Sequence, residues 1–239
     1  MEKIELIPFV DSITLAHTVA GNWLDEVNRT AQQGGRHSVA LAGGRITRWF
    51  LEAAAELAQA RGASFEHVHF FWGDERCVPP TDENSNYGLA EKYLLKKISI
   101  PQKNIHRIRG EENPAIAAQQ AQTELQRFVK ANSENQPVLD IIFLGMGEDG
   151  HVASLFPSET QEIRSNKAVY RAVVGPKSPP NRVTLGYSAI AAAKEVWVLA
   201  SGEGKKDALC ESLSPIGQTP LAQVIRMRAR TKLFSDVCV

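Results

Sequence analysis

Residues 140–157 read DIIFLGMGEDGHVASLFP, and this stretch points to the fold class. Its first part, DIIFLG, is a short apolar run typical of a buried strand. The glycine-rich loop after it carries Glu148, Asp149 and His151 before the chain returns to apolar residues. Open α/β sheets bind ligands at the carboxyl ends of their strands, and a histidine beside a carboxylate can act as a base near neutral pH. The stretch therefore predicts a sheet with a candidate base, His151, at its edge.

Strand and helix signals alternate along the rest of the chain. Strands are expected at residues 37–42, 67–72, 105–108, 139–144, 169–174, 182–185, 196–200 and 231–234. Helices are expected at residues 12–33, 46–61, 87–97, 114–130, 188–193, 204–213 and 220–226. This alternation is typical of βαβ units, so the sequence predicts a doubly wound α/β fold with a mainly parallel sheet and helices on both faces. We expect residues 1–239 to form a single α/β domain, with room for a small C-terminal subregion.

The composition narrows the class of protein. Hydrophobic residues make up 43% of the 239 residues, and 27 basic residues balance 27 acidic ones. A chain without net charge has no overall electrostatic attraction for nucleic acid. No apolar run approaches the roughly 20 residues that are needed to cross a bilayer. The first residues lack the apolar core of a signal peptide, and the three cysteines form no CxxC pair. We therefore expect a cytoplasmic protein with no nucleic-acid or membrane partner, and a monomer.

A glycine pair follows the strand predicted at residues 37–42. Gly43 and Gly44 would let backbone amides approach an anion at the start of the next helix, where Arg45 and Arg48 could add positive charge. The segment is neither a Walker loop nor GxGxxG, so it does not indicate a dinucleotide cofactor. A plain turn that needs glycine for its geometry is the alternative.

Charged residues also follow two other predicted strands. Asp74 and Arg76 lie in a long loop, where the aspartate could accept a proton and the arginine could bind a phosphate or carboxylate. Arg182 flanks a proline-rich turn, and Lys205 stands at a helix start, where a cation is disfavoured unless an anion lies nearby. A solvated, salt-bridged surface is the alternative for both groups. We expect no metal at His151, since no second histidine lies at ligand spacing.

These segments together resemble the 6-phosphogluconolactonases related to glucosamine-6-phosphate deaminase. The resemblance spans nearly the whole chain and is most specific in WGDERCVPPTDENSNY, GMGEDGHVASLFP and PPNRVTLGYSAI. It implies a doubly wound α/β fold and cofactor-free hydrolysis of 6-phosphoglucono-1,5-lactone to 6-phosphogluconate in the oxidative pentose phosphate pathway. The family's catalytic histidine and loop aspartate fall on His151 and Asp149. Its Asp-Glu-Arg motif falls on Asp74, Glu75 and Arg76.

The resemblance also implies a phosphate site, with one departure from the family pattern. The phosphate-binding positions fall on Gly43, Gly44, Arg182 and Lys205. The family usually has Ser-Thr-Pro after the glycine pair, whereas residues 45–47 here read Arg-Ile-Thr. We expect Arg45 or Arg48 to contact the phosphate through its charge, because a guanidinium binds phosphate well. A weakened phosphate site is the alternative.

The expected reaction begins with His151 taking a proton from water that attacks the lactone carbonyl, and ends with its return to the ring oxygen. Arg76 or loop amides would stabilise the oxyanion, and Asp149 or Asp74 would orient the histidine or the sugar hydroxyls. The nearest rival is an aminosugar-phosphate deaminase/isomerase. That class carries Asn-Glu before the closing proline, where this chain has Leu-Phe, and the phenyl ring of Phe156 cannot relay protons. A non-catalytic or altered-substrate sugar-phosphate-binding homologue is the rival of another class.

Overall fold

A computed structural model describes residues 3–238 of the chain. Its strands are β1 (Ile4–Pro8), β2 (His37–Leu41), β3 (Val68–Trp72), β4 (Asp74–Arg76), β5 (Ile141–Gly145), β6 (Tyr170–Val174), β7 (Asn181–Leu185), β8 (Glu195–Ala200) and β9 (Thr231–Ser235). Its helices are α1 (Ser12–Gln32), α2 (Arg45–Arg61), α3 (Asn86–Tyr93), α4 (Pro114–Phe128), α5 (Gln161–Ser165), α6 (Tyr187–Ala192), α7 (Lys206–Leu213) and α8 (Pro220–Met227). Most of these elements match the predicted ones to within a few residues.

Six strands form one parallel sheet in the order β1-β9-β8-β5-β2-β3. Every residue of β2 and β3 is buried, as expected for strands covered on both faces. The predicted doubly wound, mainly parallel α/β fold is confirmed. The winding reverses between β2 and β5, because the chain proceeds from β2 to β3 on one side and from β5 to β8 and β9 on the other. Such a switch point leaves a crevice at the carboxyl ends of the strands, where ligands bind.

Aromatic side chains pack β5, one strand of the switch point, against the first two helices. Trp23 of α1 and Phe50 of α2 both contact Phe143 of β5, with ring centroids 5.8 and 4.5 Å apart. All three side chains are buried, and each aromatic pair contributes about 0.5–1.5 kcal/mol beyond the burial of its area. These contacts therefore hold β5, which leads into the His151 loop, against the helices beneath it.

A second, antiparallel sheet of three strands has the order β4-β7-β6. Gly73 joins it to the first sheet, because its N–H donates to the carbonyl oxygen of Leu41 and its own carbonyl oxygen accepts from Leu185, both at 2.8 Å. The chain that leaves β3 thus enters β4 at once. This junction places Asp74 and Arg76 beside the carboxyl ends of the parallel strands.

Four parts of the chain differ from the prediction. The sequence predicts no element at β1 or at α5, and it places the residues of β4 in a loop. Residues 105–108 were predicted as a strand, but the structure has there only an isolated bridge between Phe70 and Ile105. β4 is a polar triplet whose strand conformation depends on pairing with β7, which is far away in the sequence. No local sequence pattern therefore predicts it. Within residues 3–238, no helix has the length and apolar character needed to cross a bilayer.

Candidate active site

A cavity of about 210 Å³ lies at the switch point between β2 and β5. Residues 42–46, after β2, and residues 145–147, after β5, form part of its lining. The sequence-predicted residues that line it are Gly43, Gly44, Arg45, Asp74, Arg76, His151, Arg182 and Lys205. Asp149 contacts the cavity indirectly, through His151. The structure therefore brings the predicted site residues together, with the exception of Arg48.

The glycine pair shapes the helix N-terminus that faces the cavity. Gly44 has a φ of +96°, in the left-handed region that favours glycine, and α2 begins directly after it. A side chain at Gly43 would collide with Asn86. The hydroxyl of Thr47 donates to the carbonyl oxygen of Gly43 at 2.8 Å, so it does not face the cavity. The first amides of α2 therefore remain available for an anion.

Arg45 and Lys205 form one cationic group of the cavity. Burial, and then the neighbouring charge of Arg45, lower the pKa of Lys205. Arg48 lies elsewhere: its Nε is 3.7 Å from Glu52 Oε1, and its guanidinium carbon lies 4.8 Å from the ring centroid of Tyr93. Of the two arginines expected to replace the missing hydroxyls, only Arg45 reaches the cavity.

Arg76 and Arg182 form the other cationic group. They are direct cross-strand neighbours in the pairing of β4 with β7, an arrangement that is unfavourable for like charges without an anion. Burial, and then the charge of Arg76, lower the pKa of Arg182, whose Nε donates to the carbonyl oxygen of Pro179 at 3.0 Å. Arg76 donates through Nη1 to the carbonyl oxygen of Asn84 at 2.9 Å. Its Nε is buried and has no hydrogen-bond partner among the described residues.

Asp74 is buried and held by two side chains. Its Oδ2 accepts from the hydroxyl of Ser154 at 2.6 Å, and its Oδ1 accepts from Asn86 Nδ2 at 3.1 Å. Neither oxygen is hydrogen-bonded to His151 within the described part of the chain. The geometry thus gives Asp74 a fixed place in the wall, from which its remaining lone pairs can accept hydrogen bonds from a hydroxylated ligand.

His151 has its carboxylate partner two residues away. Its Nδ1 lies 2.5 Å from Asp149 Oδ1, which also accepts the backbone N–H of His151 at 3.2 Å. Burial raises the pKa of Asp149, but the hydrogen bonds and charge of His151 outweigh it and leave this pKa below its usual value. An ionised Asp149 requires the proton of a neutral imidazole to lie on Nδ1, so Nε2 carries the lone pair.

Phe156 packs between the base and the second cationic group. Its buried ring lies 5.2 Å from the ring of His151, and the guanidinium carbon of Arg182 lies 5.8 Å from its centroid. The ring gives His151 an apolar contact. It has no group that could exchange a proton with a ligand.

Reasoning from the sequence missed Asn86, and it named Glu75 only as part of the Asp-Glu-Arg motif, without a role. Asn86 lines the cavity and fixes Asp74, and Glu75 organises the loop before α3. Glu75 is buried and accepts the backbone N–H groups of Arg76, Asn86 and Tyr87, each at 2.7 Å. Burial raises the pKa of Glu75 to about 7. The run Asn-Ser-Asn-Tyr gave a usable signal, since Ser85 caps α3.

A larger cavity of about 500 Å³ lies beside α4 and shares no lining residue with the first one. Its charged side chains are already paired with protein groups: Arg107 with Glu111, and His106 Nδ1 with Glu124 at 2.9 Å. The smaller cavity differs because it is lined by four cationic side chains, one of which has an unpaired donor. We therefore assign the candidate active site to the switch point.

The arrangement suits one kind of chemistry. A base with a free lone pair faces a cavity that can bind an anion at a helix N-terminus and can stabilise a second negative charge at Arg76. Within residues 3–238, no group of three or more His, Cys, Asp or Glu side chains is placed to hold a metal ion. The site fits an anionic substrate that reacts by transfer of a proton to and from water.

Comparison with known proteins identifies the family to which the chain is similar. A family model for glucosamine-6-phosphate isomerases/6-phosphogluconolactonase matches residues 10–234, which include every residue of the cavity. A 6-phosphogluconolactonase of Haemophilus influenzae is 39% identical over 83% of this chain and 81% of its own. One of Streptomyces coelicolor is 34% identical over 97% of this chain and 92% of its own. A solved 6-phosphogluconolactonase structure from Trypanosoma brucei is 26% identical, with a TM-score of 0.81 over 98% of this chain and 97% of that chain.

Proposed function

The chain belongs to the glucosamine-6-phosphate isomerase/6-phosphogluconolactonase family, and we propose that it hydrolyses 6-phosphoglucono-1,5-lactone to 6-phosphogluconate with His151 as general base. The relatives from Haemophilus influenzae and Streptomyces coelicolor are both 6-phosphogluconolactonases. The pathway that this reaction serves is the oxidative pentose phosphate pathway.

The observation that carries the proposal is the hydrogen bond between Asp149 and His151 in a cavity lined by four cationic side chains. The carboxylate fixes the tautomer that leaves Nε2 able to accept a proton. The cations suit a substrate that is anionic before the reaction and gains a further negative charge during it. A phosphorylated lactone meets both conditions.

The proposed reaction proceeds in two proton transfers. His151 Nε2 takes a proton from water while the water oxygen bonds to the lactone carbonyl carbon, and the carbonyl oxygen becomes an oxyanion. Arg76, which lines the cavity, would stabilise that charge with its guanidinium. The carbon–ring oxygen bond then breaks, and the imidazolium returns the proton to the ring oxygen as it becomes a hydroxyl. Asp149 stabilises the imidazolium between the two transfers.

The phosphate group is proposed to bind at the start of α2. The glycine pair and the helix amides supply N–H donors there, and Arg45 with Lys205 supplies charge. Arg182 would add a guanidinium from β7. This assignment replaces the two hydroxyls of the usual family pattern with the side chain of Arg45.

Phe156 supports hydrolysis over deamination. The family includes both reactions, and the deaminases carry a glutamate where this chain has Phe156. A phenyl ring packed against His151 cannot assist ring opening by proton transfer. We therefore propose that the chain does not release ammonia from glucosamine 6-phosphate.

The test measures proton release from freshly prepared 6-phosphoglucono-1,5-lactone in weak buffer. Wild-type protein should exceed the spontaneous rate, and His151→Ala should lose most of that excess. His17→Ala is a matched control, since His17 is exposed on α1 and does not line the cavity. A wild-type rate equal to the spontaneous one, or full activity of His151→Ala, would refute the proposal. Ammonia from glucosamine 6-phosphate would instead assign the deaminase reaction.

We also propose that the protein works as a monomer in the cytoplasm. Its three cysteines, Cys77, Cys210 and Cys238, are free thiols, which is typical of proteins in a reducing compartment. Light scattering after size-exclusion chromatography should give a mass close to 26.3 kDa. A mass near twice that value would contradict the monomer.

A further inference from the structure

The loop that carries His151 turns back on itself within a few residues. Val152 forms isolated bridges with Met146 and with Leu155, and Ala153 between them has a φ of +49°. This left-handed conformation is unfavourable for a residue with a Cβ atom. Contacts next to Ala153 must therefore hold the loop in this shape.

Ser154 supplies such contacts. Its side chain is fully buried, and its hydroxyl donates to Asp74 Oδ2 at 2.6 Å. Its backbone N–H donates to Thr184 Oγ1 on β7 at 3.1 Å. One buried residue thus ties the His151 loop to both β4 and β7, the two strands that carry Arg76 and Arg182.

We propose that Ser154 is a positioning residue for the reaction. Its hydrogen bonds set the distance between His151 and the wall formed by Asp74 and Arg76. The inference rests on the proposed function of His151. Ser154 does not line the cavity, so it acts through Asp74 and through the shape of the loop and does not touch the substrate. Loss of its hydroxyl would leave a buried carboxylate oxygen without its partner and would free the loop to relax at Ala153.

A purely structural role for Ser154 is the alternative, and the chain contains a matched control. Ser38 is also buried, and its hydroxyl donates to Asp140 Oδ2 at 2.7 Å. Ser38 lies near the amino end of β2, whereas the cavity follows the carboxyl end. Ser38→Ala and Ser154→Ala therefore remove the same type of hydrogen bond, but only the second one lies beside the site.

The kinetic test compares kcat and KM for fresh 6-phosphoglucono-1,5-lactone among the folded variants. Ser154→Ala should lower kcat about tenfold or more, with KM little changed, because the base is displaced and the phosphate site is intact. Ser38→Ala should keep the wild-type kcat, even where its thermal unfolding temperature falls. Ser154→Cys keeps a donor at this position, although a weaker one on a slightly larger atom, so its kcat should lie between those of Ser154→Ala and wild type.

A second measurement does not depend on turnover. The imidazole NMR signals of His151 should shift and broaden in Ser154→Ala and stay unchanged in Ser38→Ala. Should Ser154→Ala fail to fold, Ser154→Cys decides. Wild-type kcat and unchanged His151 signals in the Ser154 variant would overturn the inference, as would an equal loss of kcat in Ser38→Ala. An inactive wild-type protein would instead refute the proposed function, and the NMR comparison would still test the position of the loop.

Discussion

Replacing Gly147 with alanine would place a methyl group in the space that His151 and Asp149 now share. A Cβ atom built there lies 2.6 Å from Asp149 Oδ1, and Nδ1 and Cε1 of His151 lie closer still. Ordinary contact begins near 3.4 Å, so the carboxylate would have to move by about 0.8 Å and the ring by more. Gly147 does not have a positive φ, so alanine can adopt its backbone conformation. The change therefore displaces the base without forcing a new fold.

A misplacement of about 1 Å costs roughly 100-fold in rate, or about 2.7 kcal/mol in the activation free energy. We expect Gly147→Ala to lower kcat for lactone hydrolysis by about that factor, as measured by proton release, with an unfolding temperature close to that of wild type. Gly73→Ala is the control, because a Cβ there would meet nothing nearer than 3.6 Å. A folded Gly147→Ala protein with the wild-type kcat would refute the positioning of His151 by Asp149.

Two further predictions concern the phosphate site and the core. Arg45→Ala should raise KM about tenfold with little change in kcat, because it removes a charged hydrogen bond to the phosphate of about 1.5 kcal/mol. Arg48→Ala is the control and should leave KM unchanged. Equal effects of the two variants on KM would contradict the assignment of Arg45 to the phosphate site. Burial lowers the pKa of His37 from 6.5 to about 4, so its contribution to stability is complete above pH 6.5 and is lost as the pH falls toward 4. Denaturant titration measures the free energy of unfolding at pH 7 and at pH 5. The decrease from pH 7 to pH 5 should be about 2 kcal/mol larger in wild type than in His37→Gln, which has no group to protonate at this position. Equal decreases would contradict this reasoning.

Five of the six parallel strands, all but β1, could be predicted from the sequence because they are short apolar runs that alternate with helices of regular period. The antiparallel sheet could be predicted only in part. Its strand β4 consists of Asp74, Glu75 and Arg76, which have no strand propensity of their own and pair with residues far away in the sequence. A polar triplet of this kind is indistinguishable from a loop until its partner strand is in place.

The residues of the candidate site could be predicted from their types and from their positions after strands. The contacts between those residues could not be predicted in this way. Arg45 and Arg48 lie one helical turn apart and could not be ranked from the sequence. The structure separates them because Tyr93 and Glu52 hold the guanidinium of Arg48. The link from Ser154 to Asp74 joins residues 80 positions apart, so no local motif could reveal it.

Within the described residues, the four cationic side chains of the cavity are not each paired with a carboxylate, and they lie on four separate elements. They come from four places in the fold: the start of α2, the strand β4, the strand β7 and the turn before α7. Arg76 faces Arg182 across a strand pair, and Lys205 has its pKa lowered by burial and by Arg45. These repulsions weaken the fold, and the packed core beneath the strand ends must offset them. A phosphate at the glycine pair and an oxyanion at Arg76 would each relieve part of the repulsion, so binding energy is available both for the substrate and for the charge that develops at the carbonyl oxygen.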